Sequence, residues 1–274
     1  MTKAIFNGKI IDENEAKISI ADKGYFFDFA VYSSVKVVQG KIFFLEYHIV
    51  RLFESARLIG LEHNFKSDEV AKWLEELVEV GKIKDSLLRI ILIGDADGKN
   101  EVKLFILPIS GLTFYPDKLY KQGAKVVTFC GERRIPKSKT KDLLMSFIAY
   151  REAKKQDALD ALLIDSKGNI REGTRSNFFA IKKQTIFTPP ADKVLEGITK
   201  KIILEVAKND FKIKEMEISL DDIKNYDEVF ISSTSMNVMP IRQIDDTIFE
   251  TNFEKTHLIE KLFKEYYDKE VFKK

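Results

Sequence analysis

The sequence predicts an α+β protein of two domains, a smaller N-terminal α/β domain over 1–117 and a larger β-rich domain over 118–274. Three observations predict it. At 274 residues, 45% hydrophobic and with 21 phenylalanines, the chain can build more than one modest core. Runs of β-branched and aromatic residues of strand length alternate with stretches of helical apolar spacing. Residues 110–123, SGLTFYPDKLYKQG, carry turn formers and little periodicity, which places the link between domains there.

In chain order, AIFNGKIID (4–12) reads as two short strands around Asn7-Gly8, a residue pair that hairpins favour. The stretch from Lys23 through Val38 reads as a β-branched and aromatic strand, Gln39-Gly40 as a turn and KIFFL as the return strand. From Tyr47 the spacing becomes helical along Ile49, Leu52, Phe53, Ala56 and Ile59. Ser67 caps a further helix, which turns Val70, Trp73, Leu74, Leu77 and Val78 to one face. LLRIILIG and KLFILPI are strands joined by the polar loop DADGKNEV.

Beyond the link, KVVTFC is a strand, and a helix over about 142–156 turns Leu144, Phe147, Ile148 and Arg151 to one side. ALDALLID and IREGTRSNFFAIKKQTIFTPP supply strands separated at Lys167-Gly168-Asn169. VLEGITKKIILEVAKND is a glycine turn opening a helix, and YDEVFISSTSMNVMPIRQID is a strand ending in a hydroxyl-rich loop. The tail over 251–268 is a helix with an apolar stripe at Leu258, Leu262, Phe263 and Tyr266.

Composition narrows the function. Lysine plus arginine number 45 against 43 aspartate plus glutamate, so no global field points to nucleic acid. The basic run KSKTK has no aromatic platform beside it, which argues the same way. A single cysteine, Cys130, rules out an internal disulfide, fits a reducing compartment and is read as a core residue of its strand. MTKAIFNGK lacks the apolar core of a signal peptide and no window reaches a membrane span, so the expectation is a soluble cytoplasmic protein.

The chemistry concentrates in 135–180. KSKTKDLL offers Lys137, Lys139 and Lys141 at a helix start, and on composition alone none is preferred. IREGTRSNFFAI puts Glu172 and Gly173 on a strand–turn–strand with Asn177 and Phe179 after them. VLEGITKK sets Gly197 before a helix, SSTSMNVMPI gathers hydroxyls before a proline, and EYHIVRLFESA places His48 and Arg51 one helical step apart.

In this order these segments resemble the fold-type IV pyridoxal 5'-phosphate (PLP) enzymes, the branched-chain aminotransferases, D-amino acid aminotransferases and aminodeoxychorismate lyases. The resemblance implies a two-domain fold-type IV architecture and gives each segment a role. The pattern Lys-Ser-x-Asn, two apolar residues and a later Glu-Ala fits only Lys139, followed by Thr140, Asp142, Leu143-Leu144 and Glu152-Ala153. Lys139 then carries PLP and moves the proton between substrate and cofactor carbons.

By the same resemblance Glu172 keeps the pyridine nitrogen protonated, so that the ring works as an electron sink, and Gly173 permits a tight turn. The first helical amides at Ile198 and Thr199, after Gly197, face the phosphate with the helix dipole behind them. Leu195 packs on the ring, Ser233 and Thr234 add donors, and Arg51 supplies a bidentate guanidinium. His48 reads as structural.

The substrate residues implied are Tyr32, Lys36, Arg175, and the Thr234 and Ser235 amides. KGYFFDFAVYSSVKV departs from the family's Arg-Gly-x-x-Phe-Gly-Asp-Gly-Val-Tyr-Glu, because Asp28, Phe29 and Ala30 replace its glycine-rich part and Ser33 its glutamate. A ping-pong transamination between an amino acid and a 2-oxo acid is implied, with no metal, in a homodimer. Tyr25, Phe26, Phe27, Phe29 and Tyr32 suit a branched-chain L-amino acid. VYSSVKVVQG also resembles a D-amino acid transaminase strand, although DADGKNEV lacks the Arg-x-His pair of some of those enzymes. A lyase would keep the same cofactor site.

Overall fold

The structure, a computed structural model, describes residues 2–98, 101–112 and 115–272. Lys99 and Asn100 of the predicted polar loop, and Thr113 and Phe114 of the predicted link, lie outside the described residues. The chain forms two compact units. One is Met1–Thr113 together with Ser138–Asp142, the other Phe114–Lys137 together with Leu143–Lys273.

The first unit is a six-stranded sheet backed by two helices. Its strands are β1 (Lys3–Phe6), β2 (Lys9–Asp12), β3 (Ala30–Val38), β4 (Lys41–Ile42), β5 (Ser86–Ile93) and β6 (Lys103–Ser110), in the order β2-β1-β6-β5-β3-β4. Both hairpin turns read from sequence form as expected. Asn7 and Gly8 have φ of 46° and 81°, and Gln39 and Gly40 have 50° and 75°, the left-handed pairs that two-residue hairpins need.

Two strand boundaries differ from the sequence reading. Lys23–Phe26 is not strand but a single helical turn, α1, because the Asp22 carboxylate accepts the Tyr25 amide at 3.0 Å and starts a helix there. KIFFL contributes only Lys41–Ile42, since Phe44 takes a left-handed φ of 50° and the chain turns directly into α2 (Leu45–Leu58). Ser67 does not cap α3 (Ser67–Val80). It is the first helical residue, and the Lys66 amide donates to Glu69 Oε2 at 3.2 Å.

Alternation along β3 decides what each face does. Val31, Ser33, Val35 and Val37 are buried on the side of the core that holds Ile49, Leu52 and Ala56 of α2 and Val70, Leu74 and Leu77 of α3. Tyr32, Ser34 and Lys36 point to the opposite face. Its cross-strand neighbours on β5 are Ile91, Arg89 and Leu87.

The segment 138–142 belongs with this unit, although the sequence division at 117/118 assigns it to the second domain. β4 pairs β3 only at Val37 and Val38, which leaves the other end of that edge open. Thr140 bridges Val31 there, the Tyr32 amide donates to Lys139 O at 3.0 Å, and the Lys141 amide to Ala30 O at 2.9 Å.

The second unit opens with α4 (Asp117–Gln122), a helix inside the stretch read as link. Its strands are β7 (Ala124–Cys130), β8 (Asp160–Ile164), β9 (Ile170–Gly173), β10 (Asn177–Lys182), β11 (Thr185–Thr188), β12 (Lys212–Glu215), β13 (Glu228–Ser233), β14 (Asn237–Ile244) and β15 (Thr247–Ile248). Because β9 pairs both β8 and β10, the strands β7-β8-β9-β10-β13-β14 form a closed circuit. β11 and β12 extend it from β10 and β15 from β14. What the sequence reads as one strand ending in a loop is thus the β13–β14 hairpin. Phe179 and Phe230, directly opposite on β10 and β13, stack at 4.5 Å with rings 4° from parallel.

Besides α4, which packs against β14, three longer helices accompany the circuit. α5 (Leu144–Lys155) turns Ser146, Ala149 and Ala153 inward, and Ala149 and Ala153 pack on Val127, Ala161 and Leu163. The stripe read from sequence is on the outside: Leu144, Phe147 and Ile148 are 68%, 57% and 42% exposed. Small residues let the helix lie close against the strands, so the large ones are left on the far side. α6 spans Ile198–Ala207. α7 (Glu254–Phe272) buries Thr256, Ile259 and Phe263; of the expected stripe Leu258, Leu262, Phe263 and Tyr266, Phe263 is buried and the other three are not. Glu228 fixes its start, accepting the amides of Lys255 at 3.1 Å and Thr256 at 2.8 Å. Cys130 is exposed rather than core. Among the described residues no helix is long and apolar enough to cross a membrane.

Candidate active site

The three candidate lysines have distinct surroundings. Lys137 is exposed. Lys141 pairs with Asp28 at 2.6 Å and lies 4.5 Å over the Tyr25 ring. Lys139 is half-buried, its backbone held on the β3 edge, with Nζ 4.6 Å over the Tyr32 ring. Ser55 holds that segment from α2: its hydroxyl accepts the Lys139 amide at 3.1 Å and its carbonyl the Ser138 hydroxyl at 2.8 Å. The position of Lys139 therefore rests on backbone bonds to two different elements.

Arg51 reaches Ser33 on the core side of β3, where its Nη2 donates to Ser33 Oγ at 3.2 Å. Ser33 Oγ is also 2.9 Å from His48 Nδ1. His48 is buried, and burial first, then the charges of Arg51 and Lys139, hold its pKa well below the usual imidazole value. A neutral ring is the consequence, and Ser33 Oγ stands between it and the Arg51 guanidinium. The chain Arg51–Ser33–His48 thus orients the guanidinium through two neutral groups.

On the other face of β3, Tyr32 has cations on two sides, Lys139 and Arg89, whose Cζ lies 5.1 Å from the ring centroid. Arg89 is half-buried, and among the described residues its Nε finds no hydrogen-bond partner. Lys36 is only 8% exposed, and burial pulls its pKa from 10.5 to about 8. The sequence reading names Tyr32 and Lys36 and misses Arg89. The signal is present, a lone charge inside the apolar strand LLRIILIG.

In the second unit Glu172 and Asn177 are direct partners across β9 and β10, and both hold the backbone of Leu195. Glu172 Oε2 accepts the Leu195 amide at 3.2 Å, and Asn177 Nδ2 donates to the Leu195 carbonyl at 2.7 Å. Glu172 is 5% exposed with Arg133 Nη1 3.6 Å from its Oε1. Arg133, in the ERRIPK connection, is a second residue that the sequence reading misses. A third is Lys200, 2% exposed on α6, whose pKa is lowered by burial while Glu215, Glu172 and Glu196 oppose that shift.

Gly197 is the cap residue of α6 with Ile198 and Thr199 buried behind it. Its φ of −68° is ordinary, so space requires the glycine: a Cβ would stand 2.0 Å from Asn177 Oδ1. Gly173 is similar. No left-handed turn requires it, but a Cβ would meet Ser176 Oγ at 2.1 Å and Asp160 Oδ2 at 2.6 Å. Ser233 accepts the Met236 amide at 3.2 Å and lies 3.3 Å from Ser235 Oγ, so its hydroxyl organises the β13–β14 turn that carries Thr234 and Ser235. Ser232, fully buried and opposite Asn177, has no partner for its Oγ among the described residues. Arg175 is exposed at the β9–β10 turn, its Cζ 4.4 Å over the Tyr150 ring.

The family model for amino-transferase class IV matches residues 30–244, nearly the whole span that holds these groups. The chain belongs to the class IV aminotransferases. It is 32% identical over 251 residues to a D-alanine aminotransferase of Bacillus licheniformis, covering 89% of this chain and 88% of that one. A putative branched-chain-amino-acid aminotransferase of Methanocaldococcus jannaschii is 28% identical over 263 residues, with coverage of 90% and 89%. In fold it matches the T.th. branched-chain amino acid aminotransferase, solved with pyridoxamine 5'-phosphate, at a TM-score of 0.87 and 22% identity, covering 96% of this chain and 93% of that one. Class IV aminotransferases are PLP-dependent transaminases, and the two-domain fold-type IV architecture expected from sequence holds.

Proposed function

We propose that this class IV aminotransferase moves an amino group between a branched-chain L-amino acid and a 2-oxo acid, with Lys139 as the residue that carries PLP. One observation supports Lys139 above its neighbours: of the three it brings its amine to the Tyr32 ring, while Lys137 is exposed and Lys141, also bonded to the β3 edge, is paired with Asp28. The donor set fits the cofactor. It offers one such amine, a buried acceptor-only carboxylate in Glu172, a guanidinium in Arg51, and a helix start at Gly197 kept free of a Cβ.

When bound, PLP supplies an electron sink for the substrate's α-carbon. By the family resemblance, Arg51, the Ile198 and Thr199 amides and the Ser233–Thr234 turn would hold its phosphate, and Leu195 would lie against the ring. Glu172 would hold a proton at the pyridine nitrogen, with the Arg133 guanidinium 3.6 Å from its Oε1. The Lys139 amine would take the proton from the substrate's α-carbon. Tyr32, Lys36, Arg175 and the Thr234 and Ser235 amides orient the substrate. Arg89, on the same face as Lys36, adds a second cation there, which suits a dicarboxylic 2-oxo acid as amino acceptor.

A D-amino acid is the second reading, favoured by the 32% identity to a D-alanine aminotransferase. Mixing the PLP-loaded protein separately with L-leucine and D-alanine decides between them. Loss of the PLP absorption band with L-leucine alone is expected, and loss with D-alanine alone would reverse the assignment. If the band responds to neither, an aminodeoxychorismate lyase assay comes next. Lys139→Ala is expected to abolish the borohydride-reducible link to PLP, whereas Lys137→Ala and Lys141→Ala retain it. A link persisting in the Lys139 variant would overturn the assignment.

We read the protein further as a cytoplasmic homodimer. Its one cysteine suits a reducing compartment, and its exposed apolar side chains suit a partner copy.

A further inference from the structure

Asp160, the first residue of β8, is a fully buried carboxylate that the chemistry above does not use. All its partners but one lie in the four-residue turn between Glu172 and Asn177. Oδ1 accepts the Thr174 hydroxyl and, at 2.9 Å, the Ala161 amide, and Oδ2 accepts the Ser176 hydroxyl at 2.9 Å. Two backbone bonds close the same turn, Gly173 N to Ser176 O at 2.7 Å and Thr174 N to Ala161 O at 3.0 Å. Gly173 has no side chain where Asp160 Oδ2 stands. Between the two inward hydroxyls, Arg175 alone faces outward, its guanidinium resting on Tyr150.

Burying an ion is costly unless donors satisfy it. Here burial raises the Asp160 pKa, opposed first by the Thr174 and Ser176 hydroxyls and then by the charge of Arg175. A carboxylate kept at that cost and tied to both flanks of one residue is explained by what it does for that residue. We propose that Asp160 is a positioning residue which, through Thr174 and Ser176, presents Arg175 to the carboxylate of the substrate. The inference rests on the transaminase reading and on Arg175 as a substrate contact. It assigns specificity to a buried acid that never touches the substrate.

The test is binding of 4-methylvalerate, a carboxylic acid with no amino group, to the PLP-loaded protein by calorimetry. Arg175→Ala and Thr174→Val are each expected to raise Kd about tenfold, near the worth of one charge-assisted hydrogen bond. The double variant is expected to bind no more weakly than Arg175→Ala alone, because the tie acts only through Arg175. Thr174→Ser, which keeps the hydroxyl, restores wild-type affinity, and the PLP band and PLP affinity stay unchanged throughout. Asp160→Asn probes the tie from the acceptor side; should that variant not fold, the Thr174 pair decides. An unchanged Kd in Thr174→Val, or additive effects in the double variant, overturns the proposal. So does an unchanged Kd in Arg175→Ala, which leaves the transaminase reading intact. That reading falls separately, if wild-type protein forms no borohydride-reducible link at Lys139.

Discussion

Lys36 places an ammonium on the face of β3 that the helices leave uncovered, 8% exposed, and burial alone brings its pKa to about 8. The sign of the consequence follows from that direction. Below pH 8 Lys36 is protonated in both folded and unfolded chains, and the desolvation cost is fully present. Between pH 8 and 10.5 only the unfolded chain keeps the proton, so stability rises with pH; above 10.5 the cost has gone. A shift of this size corresponds to about 3 kcal/mol. Lys36→Met is therefore expected to stabilise the free protein at pH 7 by up to about 3 kcal/mol in urea unfolding. The gain should shrink as pH rises through 8 toward 10.5, and a gain equal at pH 7 and pH 10 would contradict a buried cation. A bound carboxylate offsets the same cost, so a site that keeps Lys36 trades stability for affinity. Single residues of this kind are readable in the sequence as charges inside apolar strands: Lys36 in AVYSSVKVV, Arg89 in LLRIILIG, Asp160 in ALDALLID. What they meet is not readable. Arg89 reaches Tyr32 only because β3 and β5 pair in one register, and Asp160 reaches Thr174 only because β8 lies beside β9.

At the scale of elements, the start of α6 shows how closely two motifs distant in sequence are fitted. Asn177 is 6% exposed and tied to the Leu195 carbonyl, and its Oδ1 occupies the place a Gly197 side chain would take. Gly197→Ala keeps an allowed backbone, so its effect is purely the 2.0 Å collision. The expected cost is about 1–3 kcal/mol of stability, the range for overpacking a tight site, together with weakened PLP binding. Adding Asn177→Gly relieves the collision but loses the tie to Leu195 and puts glycine in β10, so neither the stability nor the PLP affinity should return to wild type. Thermal unfolding and PLP titration of the two variants separate these effects. If Gly197→Ala matches wild type in both, Asn177 is not fixed as described. The turns Asn7-Gly8 and Gln39-Gly40 were legible because those residues tolerate positive φ, a local property. The inner face of α5 was not. Periodicity reveals a stripe, and Leu144, Phe147 and Ile148 do form one, but only the packing partner determines which stripe is covered. Here Ala149 and Ala153 win because strands lie close beneath them. The Lys23–Phe26 turn was missed because aromatic residues suggest a strand, whereas the Asp22 cap sets the local conformation.

At the scale of the whole molecule, the surface of each unit carries more large apolar side chains than scattered exposure accounts for. Leu144 and Phe147 on α5 are 68% and 57% exposed, and Phe26 and Phe27, packed edge to face at 5.1 Å, are 71% and 65% exposed. Isolated cases are ordinary in soluble proteins, but neighbouring pairs that stay wet oppose solubility unless something covers them. A second copy is the economical cover, because a two-fold interface buries each patch twice with one set of residues. The PLP-loaded protein is expected to scatter light as twice 31.6 kDa, and its Tm to rise with protein concentration. Leu144→Glu with Phe147→Glu places two carboxylates on the exposed side of α5, where a monomer accommodates them and a dry interface does not. That variant is expected to fall to 31.6 kDa, with a Tm that no longer depends on concentration. A mass of 31.6 kDa for active wild-type protein would end the dimer reading. A double-glutamate variant that remains dimeric would instead move the interface off α5 and leave its apolar stripe to be explained another way.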